Sequence, residues 1–581
     1  MNTITPSFLI LMTVILPVLA VFVLTLGTFF ISEKRNGLVL ARVASTTAFA
    51  SILIAILLRQ FFLGQQQLEV VNSLQLGSLF QIEFFQDRLS LFWLFLNSAV
   101  VAQILWFDSK FKRGKSSLAA ILFLALFALM QLIVLTNDAR WQWMLISLSN
   151  WLLYANLVQF QSSNDSHVRP TQTVIFLTVA DLFWMLGLLG IYLVTGSLDI
   201  SLLTTEGLFV EASGSATSLL ITSVMSLFIS LIIRCGFFPA MIWTNDFIYS
   251  RTSHAMLWAF PISIGGYLLF RWLPILTLFD EPLTLLIGFG ALSAVLLAVS
   301  ALFQSETKQR QRLGSVLIAF AVIGVAADPA LWPQMAALFA GTILFMITLS
   351  YQQTSEKSAL KWGLLLLLLC GTFGVEAMLQ VMGASGNGTG AEVPPVMFPL
   401  LVITMGLFLY GVFQQIHQRG EKAEEEPTQK TGNFVWGLSL LVLFQTVPFF
   451  LSPETQFEFL FPLSMTVLVV ISISISISIQ SMGGLNSFEL GSLVKLCKED
   501  YYIPLIVKRG IAIPIKIGAL FIHFVDLYLV QGLLIKIPNW LMKEIGETTQ
   551  EIEENSTALT QCRAILMVTV VLILAVWLQY F

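Results

Sequence analysis

Three charged residues stand inside long apolar runs: Asp181, Arg234 and Glu376. An ionised side chain costs a few kcal/mol in a bilayer, so each one points to an ion partner or an ion path. Asp181 reads equally as a buried ion partner or as a proton-path carboxylate. Arg234 comes just before Gly236 and Pro239, which break a helix and offer free carbonyls to a cation or water, so it reads as a pathway group or half of a buried pair. Glu376 has Gly371 and Gly374 beside it, a spacing that also suits close helix packing. Arg59 and Arg271 fall near span ends and are expected to snorkel. His254 and His523 read as interfacial polar groups. The four cysteines lie far apart with no CxxC pair and the four histidines are scattered, so no zinc, haem or iron–sulfur motif is visible and no cofactor is expected. GASGNGTG (383–390) lacks the Lys of a phosphate loop and reads as a turn. EKAEEE (421–426) reads as a solvated loop.

The elements that must position these groups are membrane helices. Of the 581 residues, 57% are apolar and 11% charged, against about 25% charged in soluble domains. Hydropathy gives sixteen candidate spans: 8–31, 38–62, 88–107, 117–136, 140–160, 170–195, 217–241, 254–271, 283–303, 312–327, 331–351, 359–382, 394–417, 433–452, 457–480 and 563–581. The first lacks the flanks of a signal peptide and reads as a retained helix. If the spans alternate, one set of loops collects Lys34, Lys112, Lys308, Arg310, Arg312 and Lys361, and the other has almost no cation except Arg140. This asymmetry places both termini on the non-cytoplasmic side of a cell inner membrane. The net charge of -4, without a basic stripe, argues against nucleic acid as a partner. Residues 73–85, with β-branched and aromatic residues around Gly77, read as a small extramembrane hairpin. ISISISISIQ (471–480) alternates like a strand but is expected to be helical, because an open strand leaves its backbone unsatisfied in lipid. The chain is thus expected to comprise N-terminal helices with the hairpin (1–107), a transmembrane core (108–480), an amphipathic segment and link (481–562) and a terminal anchor (563–581).

The order of motifs resembles the antiporter-like membrane subunits of respiratory complex I, NADH-quinone oxidoreductase chain L (subunit 5) type, over nearly the whole chain. The family's Asp-Gly-Leu-Ser element is similar to Asp87-Arg88-Leu89-Ser90, and its sixth-helix Gly-Asp to Ala180-Asp181. Its broken seventh helix, with Lys, Pro, Trp and Asp, resembles Arg234, Pro239, Trp243 and Asp246. Thr-Asp-Ile-Lys-Arg is similar to Ser305-Glu306-Thr307-Lys308-Gln309, and YYIPLIVKRG (501–510) with the final span resembles the lateral helix and anchor. The resemblance implies an all-α polytopic fold of about 16 helices with antiporter-like inverted repeats, broken helices and a lateral amphipathic helix. It also implies other membrane subunits as partners beside the lipid bilayer.

The departures fall on the chemistry. Met144 stands where the family has the Glu that pairs with its seventh-helix Lys, and that Lys is Arg234. The next two axial lysines are Ala340 and Val375, the latter followed by Glu376; the family's Pro-Thr-Pro turn is Arg251-Thr252-Ser253, and its helix His is Ala259. The resemblance implies proton translocation through Asp181, Arg234, Lys308 and Glu376, with Pro239, Trp243, Asp246 and Asp87 as structural motif residues. Any oxidoreductase activity would belong to the assembly, because this chain shows no catalytic centre. The alternatives are a non-pumping scaffold paralogue, the transport subunit of an inorganic-carbon uptake system, or a cation/proton antiporter subunit.

Overall fold

A computed structural model describes residues 6–30, 69–76, 80–107, 117–160, 170–203, 215–238, 240–241, 243–244, 259–304, 306–329 and 332–351, with isolated positions elsewhere. The expected spans at 38–62, 359–382, 394–417, 433–452, 457–480 and 563–581 lie largely or wholly outside the described residues. The chain forms two units. The first, Met1–Leu76 with Phe80–Lys498, holds every element named below. In the second, Gly77–Leu79 with Glu499–Phe581, Ile513, Ile517 and Leu520 are helical and exposed, at a spacing that puts them on one helix face.

The helices are α1 (Pro6–Phe30), α2 (Arg88–Phe107), α3 (Ser117–Leu135), α4 (Ala139–Phe160), α5 (Pro170–Thr195), the short α6 (Ile200–Leu203), α7 (Ser215–Arg234), α8 (Ala259–Arg271), the short α9 (Leu273–Leu276), α10 (Asp280–Phe303), α11 (Glu306–Ala327) and α12 (Trp332–Tyr351). Among the described residues three stretches are long and apolar enough to cross a membrane: Thr173–Thr195, Thr217–Arg234 and Asp280–Phe303. Strands β1 (Glu69–Leu76) and β2 (Phe80–Gln86) pair antiparallel from Glu69 opposite Gln86 to Leu76 opposite Phe80. The hairpin is therefore longer than the 73–85 read from sequence. Phe84 bridges on to Thr136 just past α3.

Beside a mainly apolar core, the outer faces are apolar as well and several polar groups are buried. Large apolar side chains are exposed along α1 (Val18, Leu19, Phe22), α4 (Met144, Leu148, Trp151) and α5 (Leu182, Leu186, Leu193), while Asn97, Gln131, Asn150, Arg234, Arg271 and Arg312 are buried. An apolar exterior of this extent is a lipid-facing or subunit-facing surface. Inside, small residues set the helix spacing. A Cβ on Gly187 would lie 2.6 Å from Leu227 Cδ2, and one on Gly266 would lie 2.4 Å from the Phe339 ring.

Two helix limits differ from the sequence reading. The span expected to run to 241 is helical only to Arg234. Gly236 takes the left-handed conformation (φ +69°), its N–H donates to Ile233 O, and the Phe237 N–H donates to Ile232 O. That pairing is the Schellman arrangement, which satisfies the last carbonyls and ends the helix. The span expected at 312–327 begins instead at Glu306. Two glutamines of its first turns bond to backbone elsewhere: Gln309 Nε2 donates to Gly411 O at 3.3 Å, and Gln311 Nε2 to Thr244 O at 3.1 Å. Arg312, read above as a loop cation, is 1% exposed, with Nη1 2.8 Å from Met241 Sδ.

Candidate functional site

The site lies on the antiparallel seam of α5 and α7. Gly190 faces Ser223 and Gly187 faces Leu227 and the Ser223 carbonyl, at distances that leave no room for a side chain. Further along the seam the two helices present Asp181 and Arg234 to each other. Arg234 Nη2 donates to Asp181 Oδ1, and both residues are buried. Asp181 and Arg234, each read from the sequence as half of a buried pair or as a pathway group, are paired with each other here.

Helix α4 completes the carboxylate's surroundings. Asn150 Nδ2 donates to Asp181 Oδ2 at 2.8 Å. Trp143 Nε1 donates to the Asp181 carbonyl at 3.1 Å. Residues 143 and 150 share one helix face, whereas Met144 is 37% exposed on another. The position aligned with the family Glu thus looks outward, and neutral hydrogen-bonding groups stand where a second carboxylate was sought. Asn150 was missed because it carries no charge. The usable signal was its spacing from Trp143.

Around Arg234 the broken helix is clamped from several sides. Trp243 Nε1 donates to Ile233 O at 2.7 Å, Phe238 N–H to Ser293 Oγ at 3.0 Å, and Thr173 Oγ1 to Trp243 O at 3.4 Å. A Cβ on Gly265 of α8 would lie 3.1 Å from Arg234 Cβ. Arg234 Nε and Nη1 have no hydrogen-bond partner among the described residues. Arginine keeps its proton at any accessible pH, so the exchangeable proton of this pair belongs to the carboxylate or to water.

A second ion pair, between a buried arginine and a part-buried carboxylate, corrects the reading of Arg271. Rather than snorkelling, it is 3% exposed and grips Asp87 with both arms, Nη1 to Oδ2 at 2.6 Å and Nη2 to Oδ1 at 2.7 Å. The reason is local: Asp87 is the N-cap of α2, accepting the Ser90 N–H at 2.7 Å, and a fixed carboxylate beside the end of α8 satisfies the guanidinium better than a partial reach to water. Burial works to raise the Asp87 carboxyl, but the Arg271 charge and hydrogen bonds, together with Ser90, hold it below the ordinary carboxylate range.

Of the remaining sequence candidates, Lys308 lies in α11 and Trp243 is fully buried. The Lys308 side chain, Pro239, Asp246 and Glu376 are outside the described residues. Ala340, aligned with an axial lysine, is fully buried in α12. Among the described residues no cluster of three or more His, Cys, Asp or Glu side chains is placed to hold a metal ion.

Residues 141–367 match the family described as "NADH:quinone oxidoreductase/Mrp antiporter, TM". The chain is 26% identical over 332 residues to the chloroplastic NAD(P)H-quinone oxidoreductase subunit 5 of Zygnema circumcarinatum, covering 53% of this chain and 46% of the relative. It is 27% identical over 191 residues to a putative antiporter subunit mnhA2 of Staphylococcus haemolyticus, covering 32% and 23%. The chain therefore spans less than half the length of either relative. In fold it is similar to a chain of the Mrp complex from Dietzia sp. DQ12-45-1b, with a TM-score of 0.65 at 14% identity, covering 93% of this chain and 64% of that one.

Proposed function

We propose, from the premise that this chain is a divergent antiporter-type membrane subunit of the NADH:quinone oxidoreductase/Mrp class, that it translocates protons as a membrane-arm subunit of an NADH-quinone oxidoreductase-like complex. The observation that carries this reading is the buried Asp181–Arg234 pair, placed where α7 breaks. Asp181 is the group that gains and loses the proton. Arg234 holds a permanent positive charge beside it, stabilising the ionised carboxylate and repelling a proton once delivered. Asn150 keeps the second carboxylate oxygen bonded while the first is engaged. In this reading Lys308 and Glu376 are the further stations of the path, and Asp87, Pro239, Trp243 and Asp246 shape the helix ends. The subunit lies in the cell inner membrane with both termini non-cytoplasmic, among other membrane subunits, and electron transfer belongs to those partners.

A second reading is a non-pumping scaffold. It is favoured by Ala340, apolar and fully buried where the family axis carries a lysine, and by Met144 facing outward. Proton uptake by sealed vesicles containing the assembled complex separates the two. Under the pumping reading Asp181→Asn, nearly isosteric, abolishes uptake at unchanged assembly, while Arg234→Lys, which restores a titratable amine, retains it. If Asp181→Asn leaves the ratio of protons moved to electrons transferred unchanged, the chain is a scaffold.

A further inference from the structure

Helix α8 presents two faces to two different environments. Gly265 meets Arg234, whereas Ser263, Tyr267 and Arg271, spaced four residues apart, line the opposite side toward α2 and α3. Along that side the polar contacts fall in two groups of one column, with Trp93 between them, its Nε1 donating to Ser263 O at 2.9 Å and its ring centroid 6.0 Å from that of Tyr267. Ser263 Oγ donates to Asn97 Oδ1 at 2.9 Å, and Gln131 Nε2 donates to Ser98 Oγ at 3.0 Å. Tyr267 donates its hydroxyl proton to Val134 O at 2.8 Å and accepts from Arg271 Nε at 3.2 Å. Arg271 Nη2 reaches Ser90 Oγ at 2.7 Å and closes the column on Asp87. From Ser263 to Arg271 the helix rises about 12 Å, and the stretch from Asp87 to Ser98 on α2 is of similar length, roughly half a hydrocarbon core.

Two buried groups in this column lack a partner among the described residues: the amide nitrogen of Asn97 and the amide oxygen of Gln131. Both side chains are at most 1% exposed. One is a donor and the other an acceptor, and Gln131 is bonded to Ser98, the chain neighbour of Asn97. A buried polar group left unbonded costs about 1–3 kcal/mol, and internal water, which donates and accepts at once, satisfies both kinds.

We infer that α2, α3 and α8 enclose a hydrated polar column, bounded at one end by Asn97 and Gln131 and at the other by the Asp87–Arg271 pair, that serves as a second proton route. This rests on the proton-translocating reading above and adds to it a path on the far side of α8 from Arg234. Each water or hydroxyl in the column accepts one proton and releases another, so the column returns to its starting state after each passage. The Asp87–Arg271 pair closes the column at the end of α8.

The test uses the full chain in its membrane complex. X-ray hydroxyl-radical labelling generates radicals from bound water, and oxidation of the buried Trp93 and Tyr267 reads the column. Replacing both amides (Asn97→Leu with Gln131→Leu) is expected to lower oxidation of these two rings and vesicle proton uptake, each roughly tenfold, equivalent for the uptake barrier to about 1.4 kcal/mol. The polar pair Asn97→Ser with Gln131→Ser keeps hydrogen-bonding groups and is expected to retain both signals. Labelling unchanged by the leucine pair overturns the column whatever the flux. Labelling lowered with flux unchanged overturns its role as a route. A serine pair as impaired as the leucine pair shows a packing defect and overturns the inference. Asp181→Asn, measured in parallel, tests the parent reading alone: if it leaves uptake intact while the leucine pair abolishes it, the Asp181 reading falls and the column stands.

Discussion

At the residue scale, among the described residues, two ion pairs with a buried arginine differ in character. The Asp87–Arg271 pair is bidentate, capped and reinforced by Ser90 and Tyr267, so removing one partner strands the other. Arg271→Leu is expected to destabilise the chain by about 3–5 kcal/mol, measurable as a fall in thermal unfolding temperature in detergent. Because the Asp87 carboxyl sits below its unfolded value, its contribution is fully present above the unfolded carboxylate value of about 3.9 and is lost as pH falls through the depressed native value. Acid titration of stability should therefore flatten in Asp87→Asn relative to the native chain. The Asp181–Arg234 pair was legible in the sequence, since two charges in neighbouring apolar spans have few other destinations. Arg271 and Arg312 were not, because their contacts lie 184 and 71 residues away and a cation near a span end reads as a surface group. Asn150 was invisible for a different reason: polar uncharged residues are tolerated throughout membrane helices, and only the face it shares with Trp143 gives it away.

At the element scale the break after α7 depends on backbone geometry more than on any side chain. Gly236 has a positive φ, and a Cβ there would meet Thr244 Cγ2 at 2.7 Å. Gly236→Ala is expected to cost at least about 1 kcal/mol, from the left-handed backbone alone, and to shift Arg234 from its partner; proton uptake should fall together with stability. The seam between α5 and α7 is similarly intolerant. Gly190→Ala sets a methyl against Ser223, an overpacking expected to cost about 1–3 kcal/mol, seen as loss of assembled complex at the growth temperature, with Gly341→Ala, whose Cβ would meet open space, as the control. Among the described residues hydropathy located the helices well because their apolar windows are long. It mistook the start of α11, whose polar first turns are bonded to Gly411 and Thr244, and it could not choose between Gly236 and Pro239 as the feature that ends α7.

At the scale of the whole molecule the described helices are apolar on their exposed faces and enclose a mainly apolar core with polar clusters set into it, a distribution already implied by a composition with so little charge. The outward rows on α4 and α5 set an expectation: Leu186→Arg, which places a cation in that surface, should reduce membrane accumulation by the cost of about 2.5–3.5 kcal/mol that insertion scales assign to a central arginine, whereas Leu186→Phe should not; immunoblotting of membrane fractions decides it. The sequence order of motifs anticipated the fold, which is similar to that of a chain of the Mrp complex. What it left open was which departures from that scaffold are compensated, because compensation comes from groups brought together only by tertiary packing.

The bridge between Asp87 and Arg271 spans 184 residues of chain, and this bears on biosynthesis. At about 5–20 residues per second, α2 emerges from the ribosome roughly 10–40 s before its buried partner exists. During that interval the nascent chain carries a carboxylate destined for the interior with nothing to bind it, so α2 and α3 should remain loosely docked until α8 has been inserted. Nascent chains stalled before residue 271 should accordingly be readily extracted and degraded, and those stalled a few tens of residues later should abruptly become protease-resistant.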